Sequence, residues 1–251
     1  MKPPLNRLSA TQLARMIAAR EVTCEAVAHA YVDAVRRAEA DVRAYAWFDA
    51  ARALATAREF DRGDWRGPLH GLPVAIKDNI DTADIPSEYG SAIYIGHVPA
   101  SDAACVAALR SAGSWVLGKT VTAELANFTP GPTRNPRGPD HTPGGSSSGS
   151  AASVAAHMAP FALGTQTAGS VIRPASYCGV VGFVPTRGAV PRAGVKGVSE
   201  TLDVVGAFAR SVEDVALLAS VIALSPSWRH APAQDAPPSI AWTATPWAAQ
   251  L

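Results

Sequence analysis

The chain has 251 residues, 48% of them hydrophobic and 17% charged, so it can bury the core of one large domain or two small ones. Its 22 basic and 21 acidic residues leave a net charge of +1, and no cluster of Lys and Arg stands out, which argues against nucleic acid as a partner. The first residues lack the apolar segment of a signal peptide, and no apolar run is long enough to cross a membrane. We therefore expect a cytoplasmic protein without membrane contact.

Residues 1–65 predict an N-terminal helical segment. Ser9 and Gln12 have the spacing of a capping box, and an apolar stripe at helical spacing follows them. A second helix continues around Val27 and Tyr31. The pattern then changes, because the short apolar run 72–76 is bounded by Gly and Pro and predicts a buried strand.

Residues 66–225 alternate between strand-like and helical patterns. Ser101 is expected to cap a helix that ends at Gly113, and a helix of small residues should run to about His157. Ser211 and Asp214 are expected to cap a last helix. Further strands are predicted at 115–117, 161–164 and 179–183. The alternation predicts an α/β layered domain around a largely buried sheet.

The remaining residues differ in composition. Residues 226–239 are rich in Pro and predict a surface connection, and residues 240–251 begin something strand-like. Three widely spaced cysteines, Cys24, Cys105 and Cys178, suit a reduced protein with buried thiols better than a disulfide framework or a zinc site. We expect no metal and no cofactor.

Two short motifs suggest chemistry that their context does not support. Residues 113–120 fit the phosphate-loop pattern, but a helix precedes them and their interior is the strand-like Trp-Val-Leu, which favours a core strand. Residues 145–149 fit G-x-S-x-G with Ser147 at the centre. No strand precedes that motif, and only His157 and His230 follow it, so a Ser-His-Asp triad is not expected.

Three separated segments carry a more specific pattern. They are GLPVAIKDNIDT around Lys77, PGGSSSGSAA around Ser146, and LGTQTAGSVIRPASYCGVVGF around Ser170. With these motifs in this order, the chain from about residue 8 to residue 225 resembles the amidase signature family, serine hydrolases that use a Ser–Ser–Lys triad. The resemblance implies a mixed central sheet flanked by helices, truncated at its C-terminal side.

The resemblance also implies roles for the three central residues. Ser170 would be the nucleophile that attacks a carboxamide and forms an acyl-enzyme. Lys77, uncharged because it is buried, would be the base, and Ser146 would pass protons between the two.

Supporting residues follow from the same resemblance. Backbone N–H groups of Thr167, Ala168 and Gly169, with that of the nucleophile, would bind the oxyanion. The bond that follows Gly145 would be a cis peptide bond. Ser147 and its neighbour Ser148 would support the site by capping the next helix.

Several departures from the family pattern leave alternatives open. Ser148, Gln166 and Ala168 stand where the common motifs have Gly, Asp and Gly, and Arg173 follows Ser170 by three residues rather than two. These changes point away from the A subunits of glutamyl-tRNA amidotransferases, and family members are about twice as long. The leading prediction is an amidase that acts on a small-molecule amide. The alternatives are an inactive N-terminal fragment or binding module of the family, and a protein like the amidotransferase A subunits. A homo-oligomer and a missing C-terminal half are both open as partners.

Overall fold

The structure, a computed structural model, describes residues 3–229 and residue 239. The helices in this part of the chain are α1 (Ala10–Ala18), α2 (Cys24–Val42), α3 (Ala50–Arg62), α4 (Ala104–Ser111), α5 (Ser148–Ala155), α6 (Ile172–Cys178) and α7 (Val212–Ile222). The strands are β1 (Tyr45–Phe48), β2 (Pro73–Lys77), β3 (Trp115–Thr120), β4 (Phe161–Gln166), β5 (Val181–Phe183) and β6 (Val204–Ala209). No helix among the described residues is long and apolar enough to cross a membrane.

The strands form one mixed sheet in the order β1-β3-β2-β4-β6-β5. β2 runs parallel to both of its neighbours, β3 and β4, whereas the other three pairs are antiparallel. β2, β3 and β6 are buried along their whole length, as expected for strands covered on both faces. The sheet and its flanking helices confirm the predicted fold class.

The predicted N-terminal helical segment, residues 1–65, also contains a strand. β1 pairs with β3 and so joins this segment to the central sheet, which corrects the purely helical description. The helices around β1 are tied together by a capping contact, since the carboxylate of Asp61 accepts the backbone N–H groups of Cys24 and Glu25 at 2.7 and 2.9 Å. The boundary drawn at residue 65 stays a prediction.

The N-termini of α1 and α7 confirm the predicted caps at Ser9 and Ser211. The capping box of Ser9 and Gln12 is present at the start of α1, and the hydroxyl of Ser211 accepts the N–H of Asp214 at the start of α7. The carboxylate of Asp214 instead crosses to α1, where it accepts the N–H groups of Ala10 and Thr11. This contact fastens α7 to the N-terminus of α1.

The predicted cap at Ser101 is wrong. α4 begins after Ala103, and no side chain caps it. The predicted strands at 72–76, 115–117, 161–164 and 179–183 are confirmed with shifted ends, whereas β6 was not predicted. The predicted connection 226–239 and the part 240–251 lie outside the described residues, apart from a short 3₁₀ helix at Pro226–Arg229 and residue 239.

Helix α5 lies unusually close to the sheet. A Cβ atom added at Gly149 would overlap the carbonyl oxygen of Ala44 and the amide nitrogen of Val121. Ser150, one residue further on, places its hydroxyl 2.7 Å from that of Thr120 and 2.9 Å from the carbonyl oxygen of Leu163. Small residues therefore let this helix sit against β3 and β4, and they bring the loop before it to the carboxyl end of β2.

Candidate active site

Lys77 ends β2, the strand that lies between two parallel neighbours. Its side chain is fully buried. The Nζ atom lies 2.8 Å from the hydroxyl oxygen of Ser146 and 2.8 Å from that of Thr165, and 3.4 Å from the carbonyl oxygen of Thr165. The structure thus brings two of the three predicted triad residues, Lys77 and Ser146, into hydrogen-bonding contact.

The surroundings of Lys77 favour its uncharged form. Burial lowers the pKa of Lys77 from the ordinary 10.5 to about 7, while the negative charge of Asp203 acts in the opposite direction. A neutral amine is therefore well populated near neutral pH, and a neutral amine can accept a proton.

The loop that carries Ser146 is held by its neighbours. A cis peptide bond joins Gly145 to Ser146, which confirms the prediction. Gly144 has a φ of +75°, and a Cβ there would lie 2.9 Å from the Cα atom of Pro174. Arg173 of α6 donates two hydrogen bonds to the carbonyl oxygen of Gly145, from Nε at 3.1 Å and from Nη2 at 2.7 Å. The loop of Ser146 and the helix that begins two residues after Ser170 are therefore connected directly.

Ser147 and Ser148 do not cap α5 as predicted. Ser147 precedes the first residue of this helix, but its side chain makes no capping bond. Its hydroxyl donates instead to the carbonyl oxygen of Thr165 at 3.2 Å, and that of Ser148 donates to the carbonyl oxygen of Val121 at 3.3 Å. Both serines support the loop by binding backbone at the ends of strands, because that backbone comes close enough to compete with the helix terminus.

Residues 167–170, the predicted oxyanion turn, connect β4 to α6. In the part of the chain that the structure describes, none of their four backbone N–H groups donates to a protein acceptor. Side chains hold both ends of the turn. The hydroxyl of Thr167 donates to the carboxylate of Asp203, and the side-chain oxygen of Gln166 accepts the two N–H groups that follow Ser170, at 2.9 and 3.1 Å.

Ser170 is partly exposed at the end of this turn. Its carbonyl oxygen accepts the N–H of Ser147 at 3.3 Å, so the two serine segments touch through the backbone. Among the described hydrogen bonds, none joins the hydroxyls of Ser146 and Ser170. Direct contact between those two hydroxyls stays a prediction.

A cavity of about 280 Å³ opens beside the serine loop. Its lining includes Gly145, Ser148 and Arg173, together with the aromatic residues Phe128 and Tyr177. The side chain of Phe128 is 93% exposed, which is unusual for a large apolar residue. The cavity combines an apolar wall with a guanidinium group, a composition that suits a small organic ligand.

Three site residues escaped the sequence analysis: Thr165, Asn79 and Asp203. Asn79 donates from Nδ2 to the hydroxyl of Thr165 at 3.1 Å and to the carbonyl oxygen of Lys196 at 3.0 Å. The one sequence signal that could have identified any of them is the polar residue Thr165 near the end of an apolar strand. Nothing in the local sequence marks Asp203 or Asn79 as its neighbours.

Residues 115–120 of the rival motif 113–120 form β3, which confirms a core strand rather than a phosphate loop. Lys119 is buried, donates to the carbonyl oxygen of Ile80 at 2.8 Å and to Ser87, and lies 3.8 Å from the carboxylate of Asp78. The amine of Lys119 is therefore bound by groups of the protein itself. Among the described residues, no group of three or more His, Cys, Asp and Glu side chains could hold a metal ion.

Comparisons with known proteins point to one family. A family model described as Amidase matches residues 26–245. The A subunit of glutamyl-tRNA(Gln) amidotransferase from Acidothermus cellulolyticus is 45% identical over 229 residues, which covers 87% of this chain and 45% of that protein. The protein of the same name from Carboxydothermus hydrogenoformans is 45% identical over 226 residues, covering 86% of this chain and 47% of the relative.

Solved structures show the same relationship. The native peptide amidase from Stenotrophomonas maltophilia superposes with a TM-score of 0.81 at 36% identity, covering 92% of this chain and 52% of that chain. A protein described as fatty acid amide hydrolase superposes with a TM-score of 0.81 at 28% identity, covering 94% of this chain and 46% of that chain. The chain spans about half the length of these relatives. From the family match over most of its length and from these superpositions, the chain belongs to the amidase signature family.

Proposed function

We propose that this chain carries the catalytic residues of an amidase that hydrolyses the C–N bond of a carboxamide. The observation that carries the proposal is the buried amine of Lys77, 2.8 Å from the hydroxyl of Ser146. In the proposal Lys77 is the base, Ser146 relays protons, and Ser170 is the nucleophile. The substrate is a small-molecule amide that enters through the cavity beside Arg173.

The contacts of Lys77 suit a base aimed at Ser146. A neutral amine has two N–H donors and one lone pair. Thr165 offers two acceptors, its hydroxyl oxygen at 2.8 Å and its carbonyl oxygen at 3.4 Å. With both N–H groups directed at Thr165, the lone pair faces the hydroxyl of Ser146. Family membership of the chain supports this arrangement further.

The first half of the reaction forms an acyl-enzyme. The Oγ atom of Ser170 bonds to the amide carbon while its proton passes to the oxygen of Ser146, whose own proton passes to Lys77. The oxyanion formed accepts N–H groups of residues 167–170, which have no protein acceptor in the described part of the chain. The C–N bond then breaks, and the leaving amine takes a proton from Ser146, which regains one from Lys77.

Water completes the cycle. It attacks the acyl carbon, its proton follows the same route to Lys77, and the ester bond to Ser170 breaks as the serine oxygen regains a proton. Each proton returns to its starting atom, so the balance is one amide and one water converted to one acid and one amine. The cycle requires neutral Lys77, and activity should rise with pH through about 7 because the pKa of Lys77 is lowered to that value.

Covalent labelling tests this proposal. We expect a fluorophosphonate probe to modify the wild-type chain at Ser170, and not the variants Ser170→Ala and Lys77→Met. The matched control is Ser176→Ala, which removes an exposed hydroxyl from the helix that follows the turn and should not affect labelling. Absence of labelling in a folded, monodisperse wild-type chain would favour the inactive fragment or binding module.

A role like that of the amidotransferase A subunits is the second candidate, since relatives of that name are 45% identical. The departures at Gln166, Ala168 and Arg173 therefore do not by themselves separate the chain from that group. Ammonia release from glutamine, compared with release from a panel of simple carboxamides, distinguishes the two. Release from glutamine alone would favour the amidotransferase-like role, and release from the other amides would favour the amidase.

A further inference from the structure

Asp203 lies just before β6, beside the turn that leads to Ser170. One carboxylate oxygen, Oδ1, accepts the hydroxyl of Thr167, the first residue of that turn. The other, Oδ2, accepts the backbone N–H groups of Val198 and Ser199 at 2.7 and 2.9 Å. The residue is only 5% exposed. A buried carboxylate with three donors is rigidly held, so it can in turn fix what it binds.

Asp203 is ionised at neutral pH. Although burial opposes it, hydrogen bonds from Thr167, Ser199 and Val198 hold the pKa of Asp203 below its ordinary value, and the nearby charge of Arg192 adds to their effect. The Nη1 atom of Arg192 lies 3.9 Å from Oδ2. A full negative charge is thus present beside the turn throughout the neutral range. It lies near Lys77, because Thr167 donates to Asp203 and Thr165, two residues earlier in the chain, contacts the Nζ atom of Lys77.

The other groups around Lys77 are either uncharged or paired with each other. Ser146 and Thr165 face its amine with hydroxyls. Asp78, the next residue in the chain, and Lys119, from the neighbouring strand, lie 3.8 Å apart and compensate each other. Lys119 is in register with Ile76, so both point to the opposite face of the sheet from Lys77.

We propose that Asp203 is a positioning residue of this active site, which orients the turn at 167–170 through Thr167 and provides the counter-charge for Lys77 when that residue is protonated. This inference rests on the proposed function. Each time Ser146 passes a proton to Lys77, a positive charge appears inside the protein, and the fixed carboxylate stabilises it. The same carboxylate keeps the oxyanion turn in place by binding its first side chain.

Two substitutions separate the two roles. Asp203→Asn removes the charge but keeps an oxygen that can accept the hydroxyl of Thr167. Thr167→Val removes the hydrogen bond but keeps the charge. The matched control is Asp33→Asn, which removes one negative charge from an exposed residue paired with Arg36 on α2.

The counter-charge role of Asp203 can be measured without any catalytic assay, from the titration of Lys77. The chain has four lysines, Lys2, Lys77, Lys119 and Lys196, so the ¹³Cε resonances of a lysine-labelled sample can be resolved, and Lys77→Met assigns the one of interest. We expect Asp203→Asn to lower the pKa of Lys77 by about one unit, as loss of a nearby opposite charge does. Lys119 serves as an internal reference, since its pKa is lowered to about 8 by burial and the charges that oppose this are those of Asp78, Asp81 and Asp84. An unchanged titration of Lys77 would overturn the counter-charge role.

The role of Asp203 in orienting the turn at 167–170 can be measured from the rate of probe labelling. We expect Thr167→Val to slow fluorophosphonate labelling of Ser170 by about tenfold or more, because the turn loses its anchor, without moving the titration of Lys77. Labelling at the wild-type rate would overturn the positioning role, and this variant remains informative if Asp203→Asn does not fold. Failure of the proposed function looks different, because the wild-type chain itself would not be labelled or its Lys77 would titrate near the ordinary value of 10.5.

Discussion

Replacing Lys77 by Met should stabilise the folded chain at neutral and acidic pH while it abolishes labelling of Ser170. The reason is that a buried lysine opposes folding whenever it must shed a proton or carry an unsolvated charge. Met has similar length and no charge. The substitution also removes the hydrogen bonds of Nζ to Ser146 and Thr165, but that loss does not depend on pH.

The magnitude follows from the pKa of Lys77. It falls from 10.5 to about 7 on folding, and at about 1.4 kcal/mol per pKa unit the full penalty is roughly 5 kcal/mol. The folded state binds fewer protons than the unfolded state between these two values, so stability rises with pH across this window. The penalty is complete below about pH 7 and vanishes near pH 10.5. The advantage of Lys77→Met should therefore shrink by roughly 2–3 kcal/mol between about pH 6 and about pH 9.

Urea unfolding followed by circular dichroism at three pH values, from mildly acidic through neutral to mildly alkaline, measures this change. Lys119 also titrates in this range, with its pKa lowered to about 8, but it is present in both chains and cancels in the difference. Ile76→Met, at the buried neighbouring position, alters no charge and serves as the control. If the stability difference between wild type and Lys77→Met were the same at both ends of the range, the argument for a titrating buried amine would be refuted.

Three further outcomes are expected. Gly149→Ala should lower the free energy of unfolding by at least about 2 kcal/mol in a denaturant titration, because its Cβ would overlap backbone atoms. The control Gly138→Ala, whose Cβ would have its nearest contact at 3.4 Å, should lower the free energy of unfolding far less. Asp214→Asn should destabilise the chain by about 2 kcal/mol in the same assay, since its carboxylate accepts three hydrogen bonds from α1, and Glu213→Gln on the exposed side should not. A thiol reagent at mildly alkaline pH should leave the native cysteines unmodified and react with all three after unfolding. The reason is that burial raises the pKa of each thiol to about 12. Rapid labelling of the native chain would contradict this prediction.

Sequence patterns predicted the elements whose signals are local. The capping box at Ser9 depends on residues three apart, and the buried strand before Lys77 is a compact apolar run bounded by turn residues. The cis bond before Ser146 came from family resemblance, because no propensity argument selects one Gly–Ser bond among several.

The features that the sequence did not predict depend mainly on contacts between residues distant in the chain. β6 was overlooked because its sequence runs directly into the last helix, and its strand character comes from pairing with β4 and β5. Asp203 and Thr165 reach the site only through the sheet, which joins Thr167 to a partner 36 residues away and Lys77 to one 88 residues away. Ser101 had the composition of a cap, but the chain enters α4 two residues later than that signal implies.

The placement of Lys77 between two parallel strands also constrains how the chain acquires its chemistry during folding. Parallel pairing of β2 with β3 and β4 closes long loops, so it forms late relative to the local helices. Until β4 is in place, the amine remains hydrated and keeps its charge. Reactivity of the serines should thus emerge only after this pairing has formed, because a chain without it would hold an ordinary lysine.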